Sequence, residues 1–135
     1  MAPLAVTPTP KLDRKKHSPV ALRAFFRIAD LWDLTVDEQM KLLGLTTRST
    51  FFNWQKDPEV SVPKDTLERI SYILGIYSAL QILLPNDKAA DGWLKRPNAN
   101  PLFAGKSALD RMLSGQVADL YTVRQYLDAQ RGGWA

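Results

Sequence analysis

Lys64-Asp-Thr-Leu67-Glu-Arg-Ile70-Ser-Tyr-Ile73-Leu-Gly-Ile76-Tyr-Ser-Ala-Leu80-Gln-Ile-Leu83-Leu84 is the longest periodic segment of this 135-residue chain. Leu67, Ile70, Leu74, Tyr77, Gln81 and Leu84 recur at the spacing of one helical face, and Ile73, Ile76, Leu80 and Leu83 widen it. So wide an apolar surface implies burial on more than one side, which makes residues 63–86 a spine between an upstream and a downstream unit. Its spare apolar surface is also the candidate seam of a homodimer. Asp57-Pro-Glu-Val-Ser-Val-Pro63 cannot be helical throughout and sets the spine off from what precedes it; Pro85-Asn-Asp ends it.

Upstream, Ser18-Pro19 reads as a helix start, with Ser as cap and Pro at the first helical position. The helix is expected to run to about Leu31, burying Leu22, Phe25, Ile28, Ala29 and Trp32, with Arg23 and Arg27 on the other side. Thr35-Val-Asp-Glu38 is a capping box with two acids in the first turn, so a helix over Val36 to Leu43 should end at Gly44. Thr46-Thr-Arg48-Ser49-Thr50-Phe51-Phe52-Asn53-Trp54-Gln55-Lys56 then supplies a second short helix. Two short helices about a Gly-containing turn make residues 18–62 a helix-turn-helix module. Phe51 and Trp54 take its buried side with Leu42, Leu43 and Leu45, which leaves Arg48, Ser49, Phe52, Asn53 and Lys56 outside. Those five suit base edges: Arg for guanine, Asn for adenine, Ser for either, and a ring for a thymine methyl. The plainer alternative is a three-helix structural unit whose polar face is merely solvated.

Downstream, Asp87 to Leu94 reads as a short helix with Trp93 turned inward. The chain then runs Asn100-Pro-Leu102-Phe103-Ala-Gly105-Lys-Ser107-Ala-Leu-Asp110-Arg-Met-Leu-Ser-Gly115. Ser107 can cap a helix with Asp110 reaching back, and Gly115 stands where a left-handed residue is wanted. A last helix follows from about Ala118 to Gln130, with Leu120, Val123 and Leu127 on one face and Gly132-Gly133 ending it. A buried Leu or Val contributes only about 1.5–3 kcal/mol against ~1–2 kcal/mol of backbone entropy per ordered residue. Two such short helices therefore need a platform, a partner or both. Trp134, beyond the two glycines, can fill a partner's pocket or fold back on the last turn.

The formal net charge is +4, yet residues 35 to 91 hold six basic and eight acidic side chains. Phosphate attraction in that segment must come from a few placed bases and from the flanks. Residues 1–17 are Pro-rich, then basic at Lys11, Arg14, Lys15 and Lys16, which reads as a disordered arm, either a solvated tail or a phosphate contact. With no cysteine and one histidine, His17, disulfides and thiolate metal sites are excluded and no metal centre is expected. No apolar run approaches the ~20 residues of a membrane span, and no signal-peptide pattern opens the chain, so a cytoplasmic protein is expected. No Gly-rich phosphate loop, nucleophile elbow or His-carboxylate spacing is present, and Asp37-Glu38 are accounted for by capping, so no catalytic residue and no cofactor are assigned.

The run from Trp93-Leu94 through Pro97-Asn98, Gly105-Lys-Ser107-Ala-Leu109, Leu113-Ser-Gly115 and Val123-Arg-Gln-Tyr-Leu127 resembles the toxin-binding domain of Xre/MbcA/ParS-type antitoxins. The resemblance continues upstream through the helix-turn-helix region. One departure is Ala108, where the family often has Pro, at some cost in pre-organisation. The resemblance implies an all-α chain in which an Xre-like helix-turn-helix module packs through a long central helix on a small toxin-binding domain over 87–135. It further implies an antitoxin that covers the active site of a RES-domain, NAD-consuming, ADP-ribosyltransferase-like toxin. The implied contacts are Asn100, Leu102, Phe103, Gly105, Arg124, Gln130, Arg131 and Trp134. Operator DNA would be the second partner, through which the antitoxin regulates its own operon. The alternatives are a stand-alone repressor whose C-terminal helices only dimerise, and a structural adaptor without DNA contact.

Overall fold

The computed structural model describes residues 14–133, with side chains from 16 to 132. These residues form α1 (Arg14–Leu31), α2 (Val36–Leu43), α3 (Arg48–Lys56), α4 (Lys64–Leu83), α5 (Asp87–Trp93), a 3-10 turn (Pro101–Phe103), α6 (Ala108–Met112) and α7 (Val117–Gly133). Among them there is no strand, only an isolated bridge between Pro97 and Ser107. The all-α expectation holds, and no helix of the described residues is long and apolar enough to cross a membrane.

Helix α4 is the axis of the fold because its apolar positions face several neighbours at once. α7 packs along it most extensively and α1 next, with α2 and α5 making smaller contacts. Leu22 and Phe25 of α1, Trp32 just after it, Leu42 and Leu43 of α2, Ile73, Ile76 and Leu80 of α4, and Leu120, Val123 and Leu127 of α7 belong to one continuous buried cluster. On α4, Leu67 and Ile70 are buried as the periodicity reads, but beyond them the line of burial shifts. Ile73, Ile76 and Leu80 are almost wholly covered, whereas Leu74, Tyr77, Gln81 and Leu84 are half-buried edges. The buried stripe is rotated because α1 and α7 straddle the first set, while Leu74 looks into the gap left between those two helices.

The start of α1 also departs from the sequence reading. The helix is already formed at Arg14, so Ser18 and Pro19 lie inside it and residues 14–17 belong to it rather than to an arm. Residues 1–13 lie outside the described residues. Ser18 is buried, and its hydroxyl accepts the Val62 N–H at 3.0 Å, tying the α3–α4 connection to α1. Pro19, the sixth residue of α1, lacks the N–H that would bond the Lys15 carbonyl, a loss at a position inside the helix. Phe25, Ile28, Ala29 and Trp32 are buried as expected, and Arg23 turns outward to pair with Glu59.

Local signals elsewhere fold as they read. Thr35 and Glu38 close a reciprocal capping box on α2, and Gly44 ends it in the left-handed region at φ 74°. Ser107 and Asp110 close a second box on α6, and Gly115 takes φ 88° in the turn to α7. Helix α7 runs past its expected end, through both Gly132 and Gly133. Glycine costs up to about 1 kcal/mol relative to alanine in a helix interior, a penalty too small to stop the helix before its last turn.

On α5, burial raises the pKa of Asp91 and the charge of Asp87 one turn away adds to the rise. A carboxyl whose folded pKa is raised supports the fold while protonated and opposes it as pH rises through that pKa. Asp91→Asn is therefore expected to raise the melting temperature at pH 7, the gain disappearing below about pH 4, where an ordinary aspartate protonates. Paired thermal melts at the two pH values measure it.

Candidate functional site

Two surfaces hold the side chains singled out by the sequence. The first is the outer face of α3, whose orientation follows from the burial of Phe51 and Trp54. Phe51 meets Phe26 of α1 edge to face at 5.7 Å, which pins α3 to α1. Arg48, Ser49, Phe52, Asn53 and Lys56 are consequently all exposed and share one side. Phe52 keeps 46% of its surface open, an unusual placement for an aromatic ring with no covering element. Arg48 is not free: its guanidinium meets Asp37 of α2 at 2.6 Å. The acid that favours the start of α2 thus also holds the arginine that would meet a base, and both groups are more than half exposed. An exposed pair of this kind is worth no more than ~1 kcal/mol and is readily exchanged for another partner.

The second surface belongs to the C-terminal third and rests on aromatic packing. The ring of Phe103 lies 5.3 Å from Tyr126 and 6.1 Å from Trp93, edge to face with each, and only 3% of the residue is exposed. Phe103 therefore anchors its loop from below and presents no contact surface of its own. Asn100 caps the 3-10 turn by accepting the Leu102 N–H at 2.9 Å, and Ala104 and Gly105 follow it at φ 51° and 80°. Arg111 locks the loop in place: Nη1 donates to the Leu102 carbonyl at 2.5 Å and Nε pairs with Asp119 of α7 at 3.0 Å. Asn100 and Leu102, so fixed, form a shallow groove of about 420 Å³ with Thr122, Gln125, Tyr126 and Ala129 of α7.

The remaining expected contacts do not join that groove. Arg124 lies over Gly75 of α4, where any Cβ would sit 2.3 Å from its guanidinium, and Nη1 donates to the Ser71 carbonyl at 3.3 Å. Asp128 stands between Arg124 and Arg131, at 3.5 and 3.9 Å. Both arginines border a separate slot of about 470 Å³ between α1 and α7, floored by Leu67, Ile70 and Leu74. Gln130 is on a third side, beside Leu80, Leu83 and Trp93. Trp134 lies outside the described residues. The sequence reading missed Thr122, Gln125, Tyr126 and Ala129, although their i, i+3, i+4, i+7 spacing is that of one helical face beside Leu120, Val123 and Leu127.

Among the described residues no group of His, Asp or Glu is clustered to hold a metal ion. What the two surfaces offer is shape, hydrogen-bonding groups and charge.

Comparison with known proteins matches both surfaces to described domains. Residues 11–75 match the antitoxin Xre-like helix-turn-helix domain, and residues 79–133 match the antitoxin Xre/MbcA/ParS C-terminal toxin-binding domain. The two matches leave only residues 76–78, inside α4, between them. The chain is also similar to the uncharacterized protein y4oB of Sinorhizobium fredii, with 57% identity over 115 residues that cover 85% of this chain and 87% of the relative. With a DNA-binding type of module followed by a toxin-binding one, the chain belongs to the Xre/MbcA/ParS family of antitoxins.

Proposed function

We propose that the chain is the antitoxin of a type II toxin–antitoxin pair whose toxin is a RES-domain, NAD-consuming enzyme. It neutralises that enzyme by covering the active site with the Asn100–Leu102 groove. The observation that carries this reading is placement. Every residue lining the groove falls within the toxin-binding match, whereas the slot beside Arg124 and Arg131 is built mostly from α1 and the first part of α4, outside it. Occlusion requires no chemistry from the antitoxin, in keeping with a chain that supplies binding surfaces and acts in the cytoplasm without catalysis of its own. In this reading residues 18–62 serve DNA, 63–86 join the halves and 87–135 serve the toxin, and a homodimer presents two copies of α3 to an operator that the antitoxin thereby autoregulates.

The DNA half of the proposal is tested at Arg48 and Asp37. Reading a base requires Arg48 to leave Asp37, so Arg48→Ala should weaken specific operator binding by about 1–3 kcal/mol. Asp37→Asn should do the reverse, strengthening binding by freeing the guanidinium and removing a negative charge near the phosphates. Fluorescence anisotropy titrations against the chain's own promoter fragment measure both, and equal affinity in all three proteins rules out a reading role for Arg48.

A further inference from the structure

Arg69 joins parts of the chain that belong to different functions. Its side chain is only 11% exposed. Nε pairs with Asp65 of the same helix at 2.8 Å, and Nη2 donates to the carbonyl of Gly115, in the turn between α6 and α7, at 3.0 Å. Nη1 reaches the Lys41 carbonyl, in the last turn of α2, at 3.5 Å. That same carbonyl receives the Gly44 N–H at 3.2 Å, and a Cβ on Gly44 would lie 2.8 Å from Arg69 Nε. The guanidinium therefore lies against the turn that leads into α3 on one side and grips the turn that leads into α7 on the other.

A guanidinium is a planar fork whose donors keep fixed directions, so one of them cannot follow a moving acceptor without turning the others. Burial removes the water that would otherwise replace a lost partner. A displacement of Gly115 must then either break a charge-assisted hydrogen bond or swing the fork against Gly44, whose left-handed conformation sets the path into α3. The absence of a side chain at Gly44 is what lets the fork lie so close.

We propose that Arg69 is a positioning residue that couples the α6–α7 turn to the α2–α3 turn, so that a partner seated on the C-terminal unit alters how α3 is presented to DNA. The biological meaning rests on the proposed antitoxin reading; the coupling itself is a property of the free chain. Linkage makes it reciprocal, so a disturbance at either turn is felt at the other.

The test uses the full chain alone, with amide hydrogen exchange read by NMR. Gly115→Ala strains a residue at φ 88° while its new methyl meets nothing within 4 Å, so it disturbs the turn without a clash. It should speed exchange at Leu45, whose N–H bonds to the Met40 carbonyl at 2.8 Å, by about fivefold or more. Gly44→Ala, which pushes on the guanidinium, should speed exchange at Asp119 in return. In an Arg69→Met background each effect should fall to less than twofold. Arg69→Lys keeps a cation beside Asp65 but has no fork, so it should stay folded and still fail to transmit. If Arg69→Met does not fold, the lysine variant decides. Transmission that survives in either background, or no response at Leu45 in the otherwise wild-type chain, overturns the proposal. Because neither toxin nor DNA is present, such a failure leaves the antitoxin reading untouched, and failure to bind a toxin would leave the coupling untouched.

Discussion

Ile76→Ala is expected to lower the unfolding free energy by about 2–5 kcal/mol and the melting temperature by on the order of 10 °C. Ile76 is completely buried on α4 and falls between the two matched stretches, which end at residue 75 and begin again at 79. Its methyl groups lie in the cluster shared by α1, α2, α4 and α7, so the cavity left by truncation belongs to both halves. Amides of α3 and of α7 should lose protection against hydrogen exchange by the same free energy, in a single transition. Two separate transitions, with only one half destabilised, would mean that the helix-turn-helix and toxin-binding units fold independently.

Ala129→Arg should weaken toxin binding by about 2–4 kcal/mol, or roughly 30- to 1,000-fold in Kd, with little change in stability. Ala129 is an exposed position on α7 that lines the groove beside Asn100 and Leu102. Arginine is nearly as good a helix former as alanine, so the fold is retained while a long cation fills the space a partner must occupy. Arg124→Ala supplies the comparison, since Arg124 lies on the other side of α7, with its guanidinium already held by Asp128 and the Ser71 carbonyl. Its effect on the same Kd should be within about tenfold, the loss of a rim charge rather than of a central contact. Reversal of that order, measured by calorimetry with the toxin co-expressed from the same operon, would move the interface to the slot between α1 and α7.

Local signals carried most of the fold into the sequence. The Thr35–Glu38 and Ser107–Asp110 boxes and the left-handed Gly44 and Gly115 were legible because each is settled by residues within a few positions. The faces of α3 were legible for the same reason: two large aromatics three apart leave only one side to bury. Ser18 failed as a cap because its acceptor is claimed by Val62, 44 residues away, a contact that no local pattern encodes. Phe103, a contact implied by the resemblance, stands in a Pro- and Gly-flanked loop and is covered because Trp93 and Tyr126 converge on it, which no local pattern shows. Arg69 and Arg111 passed unnoticed since their decisive acceptors, the carbonyls of Gly115 and Leu102, are backbone atoms brought near by the tertiary fold. Helical periodicity found the Leu120, Val123 and Leu127 face of α7, while Arg124 and Gln130, implied as contacts by the resemblance, stand on sides of α7 away from the Asn100–Leu102 loop.

The claim that this chain works as a stopper is tested most directly by the toxin's own chemistry. The product of the adjacent reading frame, purified with the antitoxin and then freed of it, is assayed for NAD consumption while the antitoxin is added back. The account predicts that consumption falls to background as the antitoxin approaches saturating stoichiometry, and that Ala129→Arg fails to suppress it. A complex that forms fully while NAD is still consumed at the free enzyme's rate would contradict it.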